Sequence, residues 1–229
     1  MLNKGVTKYP FRNDSHGKRS RLASSIRETS MPLPTLSAVI SELDKKYAGS
    51  NTSSGVYTLT PFQTPLANVS ETESRLGVTF PHTFVKLTTS YQFGKLSLGV
   101  IYFGDSGPYY QYLLTANQEP VEPIWPMITW WDSRNGVRPH HLTEIAFTDP
   151  HQVLLNVESG EVLAYDPAVE SWEDSYKVAD DFELFIRGAG YADLFRGNDD
   201  DELNKKLAAD IEEPVGAEPG HDFWYTTTM

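Results

Sequence analysis

Apolar residues recur at helical spacing near residue 40. They fall on one side of a helix predicted over residues 35–47. These residues are Leu36, Val39, Ile40 and Leu43. Pro34 stands near the start of this segment and Gly49 just beyond its end, as is typical of helix boundaries. The pattern therefore predicts an amphipathic helix with one buried face.

Two further helices are predicted over residues 66–76 and 81–91, separated by a short hinge. Gly77 ends the first helix, because glycine tolerates the left-handed conformation that closes many helices. Pro81 begins the second helix, where its missing N–H is not needed. The apolar positions that share a face are Val69 and Leu76 in the first helix, and Phe84, Leu87 and Tyr91 in the second. The hinge lets both helices bury these faces against one surface.

After the third helix, the pattern changes to short β-branched and aromatic runs between turn residues. Three of these runs are predicted as strands: KLSLGVIYFGDSG, GPYYQYLLTAN and EPIWPMITWWD. Residues 153–157 and 161–165 then give a hairpin signature around Gly160, where a positive φ is accessible. This part of the chain predicts a sheet built from neighbouring strands.

A last amphipathic helix is predicted over residues 177–187, ending at Gly188. Its apolar positions are Val178, Phe182, Phe185 and Ile186. Helices come before and after the strands and do not alternate with them. This order predicts an α+β fold, with a single twisted, mainly antiparallel sheet and the helices packed on one side.

Charge and periodicity divide the chain into three parts. Residues 1–31 are polar and aperiodic, with seven Lys and Arg against two acids in the first 30, and they predict a flexible basic tail. Residues 32–196 form the predicted domain. Residues 197–229 are acidic and punctuated by Pro and Gly, and they predict an acidic C-terminal tail. The aromatic residues 223–225 could dock back on the domain or stay exposed.

Composition limits the class of protein. Of the 229 residues, 39% are hydrophobic, which is enough for a packed core and argues against disorder throughout. The chain has no cysteine, which excludes disulfides, thiolate metal ligands and cysteine nucleophiles. It shows no signal peptide and no apolar run long enough to cross a membrane. We therefore expect a cytoplasmic protein without a membrane partner.

Two motifs carry a family resemblance. The first combines an acidic helix, a Leu-Gly turn and a proline-initiated helix, formed by Glu73, Leu76, Gly77, Pro81, Phe84 and Leu87. The second combines closing strands and a final helix, formed by Ile145–Phe147, Val153–Asn156, Gly160–Val162, Tyr165–Asp166 and Val178–Ile186. In this order they resemble the SMI1/KNR4 superfamily, also called SUKH, over residues 66–190.

The resemblance implies a non-catalytic recognition module, since the family includes bacterial immunity proteins and fungal cell-wall regulators. The leading hypothesis is an immunity protein that binds a bacterial toxin and blocks its active site or substrate groove. The alternative is a regulatory or scaffolding interaction protein of the fungal cell-wall regulator type, which the charged ends of the chain favour. An enzyme acting on carbohydrate, suggested by the Trp and Asp residues near position 130, is a third alternative.

Catalytic and metal-binding residues are not indicated by the residue pattern. The carboxylates near predicted strand ends are Asp105, Asp132, Glu144 and Asp149, and an Asp beside Gly at a turn is usually a turn residue. His140 and His141 are adjacent, so on a strand they face opposite ways, and no third ligand stands at a suitable spacing. We expect no catalytic residue, no metal and no cofactor.

The candidate partner-binding site consists of aromatic and acidic residues near the middle of the chain. They are Asp105, Tyr109, Tyr110, Trp130, Trp131 and Asp132. On strands, neighbouring residues alternate between faces, so one ring of each adjacent pair is expected to point outward as a binding anchor. The net charge of −12 disfavours direct nucleic-acid binding. The same charge suits a basic protein partner, for example a nuclease toxin.

Overall fold

The computed structural model of the protein describes residues 32–49, 56–64, 66–104, 107–118, 129–131, 137–197 and 200–229. Within these ranges the helices are α1 (Leu36–Lys46), α2 (Leu66–Leu76), α3 (His82–Ser90), α4 (Tyr109–Asn117), α5 (Phe182–Phe195), α6 (Asp201–Val215) and α7 (Phe223–Thr228). The strands are β1 (Ser97–Leu98), β2 (Ile101–Tyr102), β3 (Leu142–Phe147), β4 (Gln152–Asn156), β5 (Val162–Tyr165) and β6 (Tyr176–Ala179). A short 3-10 helix covers Trp172–Asp174. The basic tail predicted over residues 1–31 lies outside the described residues.

The first three helices lie where the hydrophobic pattern predicts them. The Thr35 side chain accepts a hydrogen bond from the N–H of Ala38 at 3.3 Å and so caps the start of α1. Gly77, with a φ of 68°, ends α2. The Glu73 carboxylate then accepts the N–H of Phe80 at 2.8 Å. This bond fixes the hinge that lets α2 and α3 contribute buried faces to the same core.

The strands form one antiparallel sheet in which each strand pairs with the next along the chain. Short connections join β1 to β2, β3 to β4 and β4 to β5, as antiparallel pairing allows, whereas α4 lies in the connection between β2 and β3. The predicted hairpin is confirmed as β4 and β5, and Gly160 in its turn has a φ of 86°. The α+β class and the single antiparallel sheet are confirmed.

The main hydrophobic core lies between the helices and one face of the sheet. Phe182, Phe185 and Ile186 of α5 are fully buried in it, together with Val153 and Leu155 of β4. We call this face of the sheet the inner face. The helix α5 packs against the sheet and against α1, α3, α6 and α7.

Residues 109–117 form a helix, not the predicted strand. Pro108 stands immediately before its first residue, as is common at helix starts. The buried positions within it follow helical spacing: Tyr109, Tyr110, Leu113, Leu114 and Asn117. The dense run of aromatic and leucine residues suits a strand as well as a helix, so propensity alone does not separate the two.

The last helix of the predicted domain begins later and ends later than expected. Residues Lys177 and Val178 belong to β6, and α5 begins at Phe182, where the Asp181 side chain accepts the N–H of Leu184 at 2.8 Å. Gly188 does not end this helix. It lies in the helix interior, where it leaves room for side chains packed against α5.

The prediction of an acidic C-terminal tail is wrong for residues 200–229. In α6 the acidic residues Asp201, Glu202 and Glu213 are exposed, while Ile211 and Val215 are fully buried. Phe223 and Trp224 of α7 are each 1% exposed. This segment also covers the outer edge of β6, because the Lys177 carbonyl accepts the N–H of Glu218 at 2.8 Å. The terminal aromatic residues therefore dock on the domain.

None of the helices in the described ranges is both long enough and apolar enough to cross a membrane.

Candidate functional site

The sheet has a second face, turned away from the helical core, which we call the outer face. Its strand residues are Ser97, Tyr102, Leu142, Glu144, Phe147, Gln152, Leu154, Asn156, Leu163, Tyr165 and Lys177, as the strand register and the alternation of side chains require. Leu142, Leu154 and Tyr165 form a hydrophobic cluster separate from the main core. The outer face is thus partly covered and partly open.

An irregularity in β3 decides which side chains the outer face carries. Glu144 pairs with Leu154, but Ala146 pairs with Val153, so Ile145 is an additional residue on this strand. In a regular strand, Glu144 and Phe147 would point to opposite faces, because they are three residues apart. The bulge places both on the outer face.

Tyr109 and Tyr110 lie at the start of α4 and are both buried, at 6% and 7% exposure. The hydroxyl of Tyr109 donates to the Ile145 carbonyl at 2.9 Å, and the hydroxyls of Tyr110 and Thr88 are 2.7 Å apart. The expectation that one ring of this pair points outward is wrong, because the residues occupy a helix whose buried side includes both positions. They hold α4 against the core.

Trp130 and Trp131 are also both buried, at 8% and 2% exposure. Their rings meet edge to face at a centroid distance of 5.4 Å, and they cover the Leu142, Leu154 and Tyr165 side of the outer face. The backbone is in a turn here, so the alternation expected of a strand does not apply. The tryptophans therefore act as a cover of the sheet.

The two acids of the predicted site, Asp105 and Asp132, lie outside the described residues. The four aromatic residues fall into two sets at opposite ends of α4, with Tyr109 and Tyr110 at its start. Trp130 and Trp131 form the second set, near the end of α4, where Oδ1 of Asn117 accepts the indole N–H of Trp130 at 3.0 Å. The structure thus does not bring the predicted anchors together as one exposed surface.

Asn117 also pairs with β3 in place of a neighbouring strand. Its Oδ1 accepts the N–H of Glu144 at 2.7 Å, and its Nδ2 donates to the Glu144 carbonyl at 2.9 Å. This position of β3 needs such a partner, because β2 pairs with β3 only at Tyr102 and Phe147. The Asn117 amide therefore provides hydrogen-bond partners for the backbone N–H and carbonyl of Glu144, which would otherwise be buried without them.

An aromatic row leads from the surface towards Glu144. It consists of Tyr102, which is 42% exposed, and of Phe147 and Tyr112, which are half-buried. The ring centroids of Tyr102 and Phe147 are 5.5 Å apart with nearly parallel planes, and those of Phe147 and Tyr112 are 6.4 Å apart. The Tyr112 hydroxyl donates to Glu144 Oε1 at 2.7 Å. An exposed aromatic ring that stacks on a second ring, as Tyr102 does, is a typical binding anchor.

Glu144 is a buried carboxyl group with few partners. Burial raises its pKa to about 7, and the hydrogen bond from Tyr112 acts in the opposite direction. No Lys, Arg or His of the described ranges forms an ion pair with it. The Oε1 atom of Gln152, on the same face, is buried without a hydrogen-bond partner. The outer face therefore holds two acceptors that could receive further donors.

A cleft of about 420 Å³ lies beside the start of α4, away from the outer face. Its lining includes Phe62, Phe93, Lys95, Tyr109 and Tyr110. This volume is within the usual range for small-ligand pockets. Its walls are the same rings that anchor α4, which indicates a packing role for Tyr109 and Tyr110.

The described ranges contain no group of three His, Asp or Glu side chains placed to hold an ion. The arrangement on the outer face instead suits binding of a cationic group, because aromatic faces and carboxylates both attract cations. The aromatic row was missed from the sequence, although Glu144 was among the carboxylates considered. Only the bulge at Ile145 brings the row and the carboxylate together.

No protein-family model matches the chain, and no curated protein is significantly similar to it. The similarity to the SMI1/KNR4 superfamily therefore remains a prediction that depends on the two sequence motifs.

Proposed function

We propose that this chain is a non-catalytic, cytoplasmic protein-binding module of the SMI1/KNR4 type, and that it neutralises a bacterial toxin by binding it. The outer face is the binding surface in this proposal. The observation that carries the proposal is Tyr102, which lies exposed on a strand of two residues and stacks on Phe147. Large aromatic side chains in such positions supply much of the binding energy of protein interfaces.

Charge supports a basic partner. The net charge of −12 creates a field that accelerates association with a basic protein and disfavours contact with nucleic acid. A toxin that acts on nucleic acid is basic for the same physical reason. Binding of this kind blocks the toxin by covering its substrate groove and needs no catalytic group on this chain.

The alternative is a regulatory or scaffolding interaction protein, in which charged tails take part in binding. That alternative drew on a basic N-terminal tail, which lies outside the described residues, and on an acidic C-terminal tail. Residues 200–229 instead form α6 and α7 and pack against α5 and β6. The folding of this segment favours the toxin-binding proposal over the scaffolding one.

Co-expression tests the proposal directly. The toxin candidate is the product of the gene immediately upstream, and the chain should restore growth of cells that express it. Purified toxin and chain should also form a complex measurable by calorimetry. Absence of both rescue and complex formation would refute the toxin-binding function.

Matched variants test the binding surface. Tyr102→Ala should weaken the complex about tenfold or more, because it removes the exposed ring. Phe195→Ala is the control, since Phe195 is 52% exposed at the end of α5. A complex that is unchanged by Tyr102→Ala, or weakened equally by Phe195→Ala, would mean that the partner binds elsewhere.

A further inference from the structure

The outer face combines stacked aromatic rings, a buried carboxylate and a buried amide oxygen. We infer that it binds the guanidinium group of an arginine side chain. The stacked rings of Tyr102 and Phe147 contact the group on one side, and Glu144 and Gln152 accept its hydrogen bonds on the other. The binding of guanidinium itself stands on this geometry alone. That the arginine belongs to a protein partner rests on the proposed function.

The acceptors define the charge of the ligand. Glu144 Oε1 receives one hydrogen bond from Tyr112, and no cationic side chain of the described ranges is paired with this carboxylate. A buried carboxylate is satisfied best by a cation that also donates hydrogen bonds. The residue keeps 9% of its surface exposed, so it is not sealed from the outside.

Gln152 supplies the second acceptor. It stands opposite Phe147 on β4, and Glu144 is its diagonal neighbour across the same strand pair. Its Oε1 has no hydrogen-bond partner, and the terminal torsion of a glutamine side chain rotates easily. A ligand with donors in two directions can therefore reach both residues.

The aromatic rings define the shape of the ligand. Tyr102 and Phe147 stack with an interplanar angle of 23°, and Phe147 is the direct cross-strand neighbour of Gln152. A planar guanidinium stacks on such rings, whereas an ammonium group is compact and strongly hydrated. Guanidinium also has five N–H donors in a fixed fork, which suits separated acceptors better than a single ammonium does.

The direct experiment is titration of the purified full chain with N-acetyl-arginine amide, followed by ¹H–¹⁵N NMR. Saturable shifts should centre on the amides of Tyr102, Glu144, Phe147 and Gln152. N-acetyl-lysine amide should bind several-fold more weakly, because it lacks the planar fork. Absence of saturable shifts at these residues up to the solubility limit would overturn the inference.

Variants separate binding from structural effects. Glu144→Gln should reduce the affinity for the arginine amide about tenfold, because it removes the charge and keeps the shape. Glu213→Gln, at an exposed position of α6, is the matched control and should leave the affinity unchanged. Equal affinity in the wild type and in Glu144→Gln would overturn the inference.

The pH dependence of the affinity for the arginine amide gives an independent test. The affinity should fall as the pH is lowered from about 8 to about 6, because Glu144 takes up a proton in that range. Within the described ranges, the titratable groups that interact with Glu144 are the phenols of Tyr109 and Tyr112 from α4 and of Tyr165 from β5. Burial raises the pKa of Tyr109 and Tyr165, so both stay neutral in this range. An affinity that does not change with pH would count against the assignment.

The outcomes distinguish this inference from the proposed function. If the arginine amide binds but the toxin candidate does not, the guanidinium site stands and the toxin-binding function fails. If the toxin and the arginine amide both bind equally to the wild type and to Glu144→Gln, the function stands and the guanidinium site fails.

Discussion

Asn117 and Glu144 show how single side chains shape the outer face. Asn117 replaces a missing strand partner at the edge of β3, and it also holds the indole of Trp130. Glu144 donates and accepts through its backbone there, while its carboxyl group lies buried on the outer face beside Tyr112. One asparagine therefore secures the backbone that carries the principal acceptor of the proposed site.

Replacement of Asn117 tests this role. Asn117→Ala leaves the N–H and carbonyl of Glu144 and the indole N–H of Trp130 buried without their partners. We expect the free energy of unfolding to fall by about 3 kcal/mol, measured by urea denaturation. Gln111→Ala, on the exposed side of the same helix, is the control and should change it by less than about 0.5 kcal/mol. Equal effects of the two substitutions would contradict the role given to Asn117.

Glu144 should make stability depend on pH. Its pKa is raised from 4.5 to about 7 in the folded state, so the folded chain binds the proton more tightly than the unfolded chain. This contribution to stability is fully present below pH 4.5 and is lost as the pH rises through about 7. The folded protein is therefore expected to lose stability between pH 5 and pH 8 through this group.

Glu144→Gln removes the titrating group and keeps an acceptor for Tyr112. We expect the variant to be more stable than the wild type by about 3 kcal/mol at pH 8, with the difference falling below about 1 kcal/mol at pH 5. Thermal or urea unfolding at both pH values measures this. A variant that is less stable than the wild type at pH 8 would contradict the environment described for Glu144.

At the scale of elements, α5 is shaped by glycines that allow close packing. A Cβ atom at Gly190 would lie 2.4 Å from Cγ1 of Val39, and one at Gly188 would lie 2.7 Å from the Trp224 ring. These glycines weaken the helix by their own propensity. They are tolerated because α1 and α7 pack against the surface they leave free. The close packing of α5 against α1 and α7 therefore depends on the absence of a side chain at Gly188 and Gly190.

Gly190→Ala tests this packing, because the substitution can either raise or lower the free energy of unfolding. Alanine favours a helix by about 1 kcal/mol over glycine, but the clash with Val39 costs about 1 to 3 kcal/mol. We expect a net loss of stability in urea denaturation. Ser41→Ala, on the exposed side of α1, has only the propensity term and should be neutral or slightly stabilising. A more stable Gly190→Ala variant would show that α1 does not approach α5 this closely.

At the scale of the whole molecule, the C-terminal segment completes the fold. Its helices bury Val215 and Trp224, and the Trp224 indole donates to the Val178 carbonyl at 3.0 Å. The Val215 carbonyl accepts the N–H of Asp180 at 2.8 Å. These bonds cover the edge of β6, which would otherwise be a template for aggregation. An acidic segment thus serves both as part of the core and as part of the charged surface.

A chain that ends at residue 199 should therefore lose its fold or its solubility. We expect size-exclusion chromatography to show aggregates and circular dichroism to show loss of cooperative thermal unfolding, because the core residues under α6 and α7 become exposed. A chain that lacks only Met229, which is 52% exposed, is the control and should behave like the full chain. A soluble truncated chain with the same unfolding temperature would contradict this account.

The sequence by itself determined the positions of α1 to α3, the β4–β5 hairpin and the α+β class. These features depend on local signals, namely helical periodicity, Gly77 in its left-handed conformation and Gly160 in its turn. Such signals act within a few residues, so they can be read along the chain without knowledge of its partners in space.

Only the tertiary structure decided the rest. The segment at Tyr109 could form a strand or a helix by propensity, and its burial against β3 selects the helix. The C-terminal segment is acidic by composition, yet its apolar residues find a surface on α5 that no local pattern reveals. Glu144 and Phe147 share a face because of one bulge, and the raised pKa of Glu144 depends on the groups that bury it. These properties are set by contacts between residues far apart in sequence, which is why the site could not be derived from the sequence.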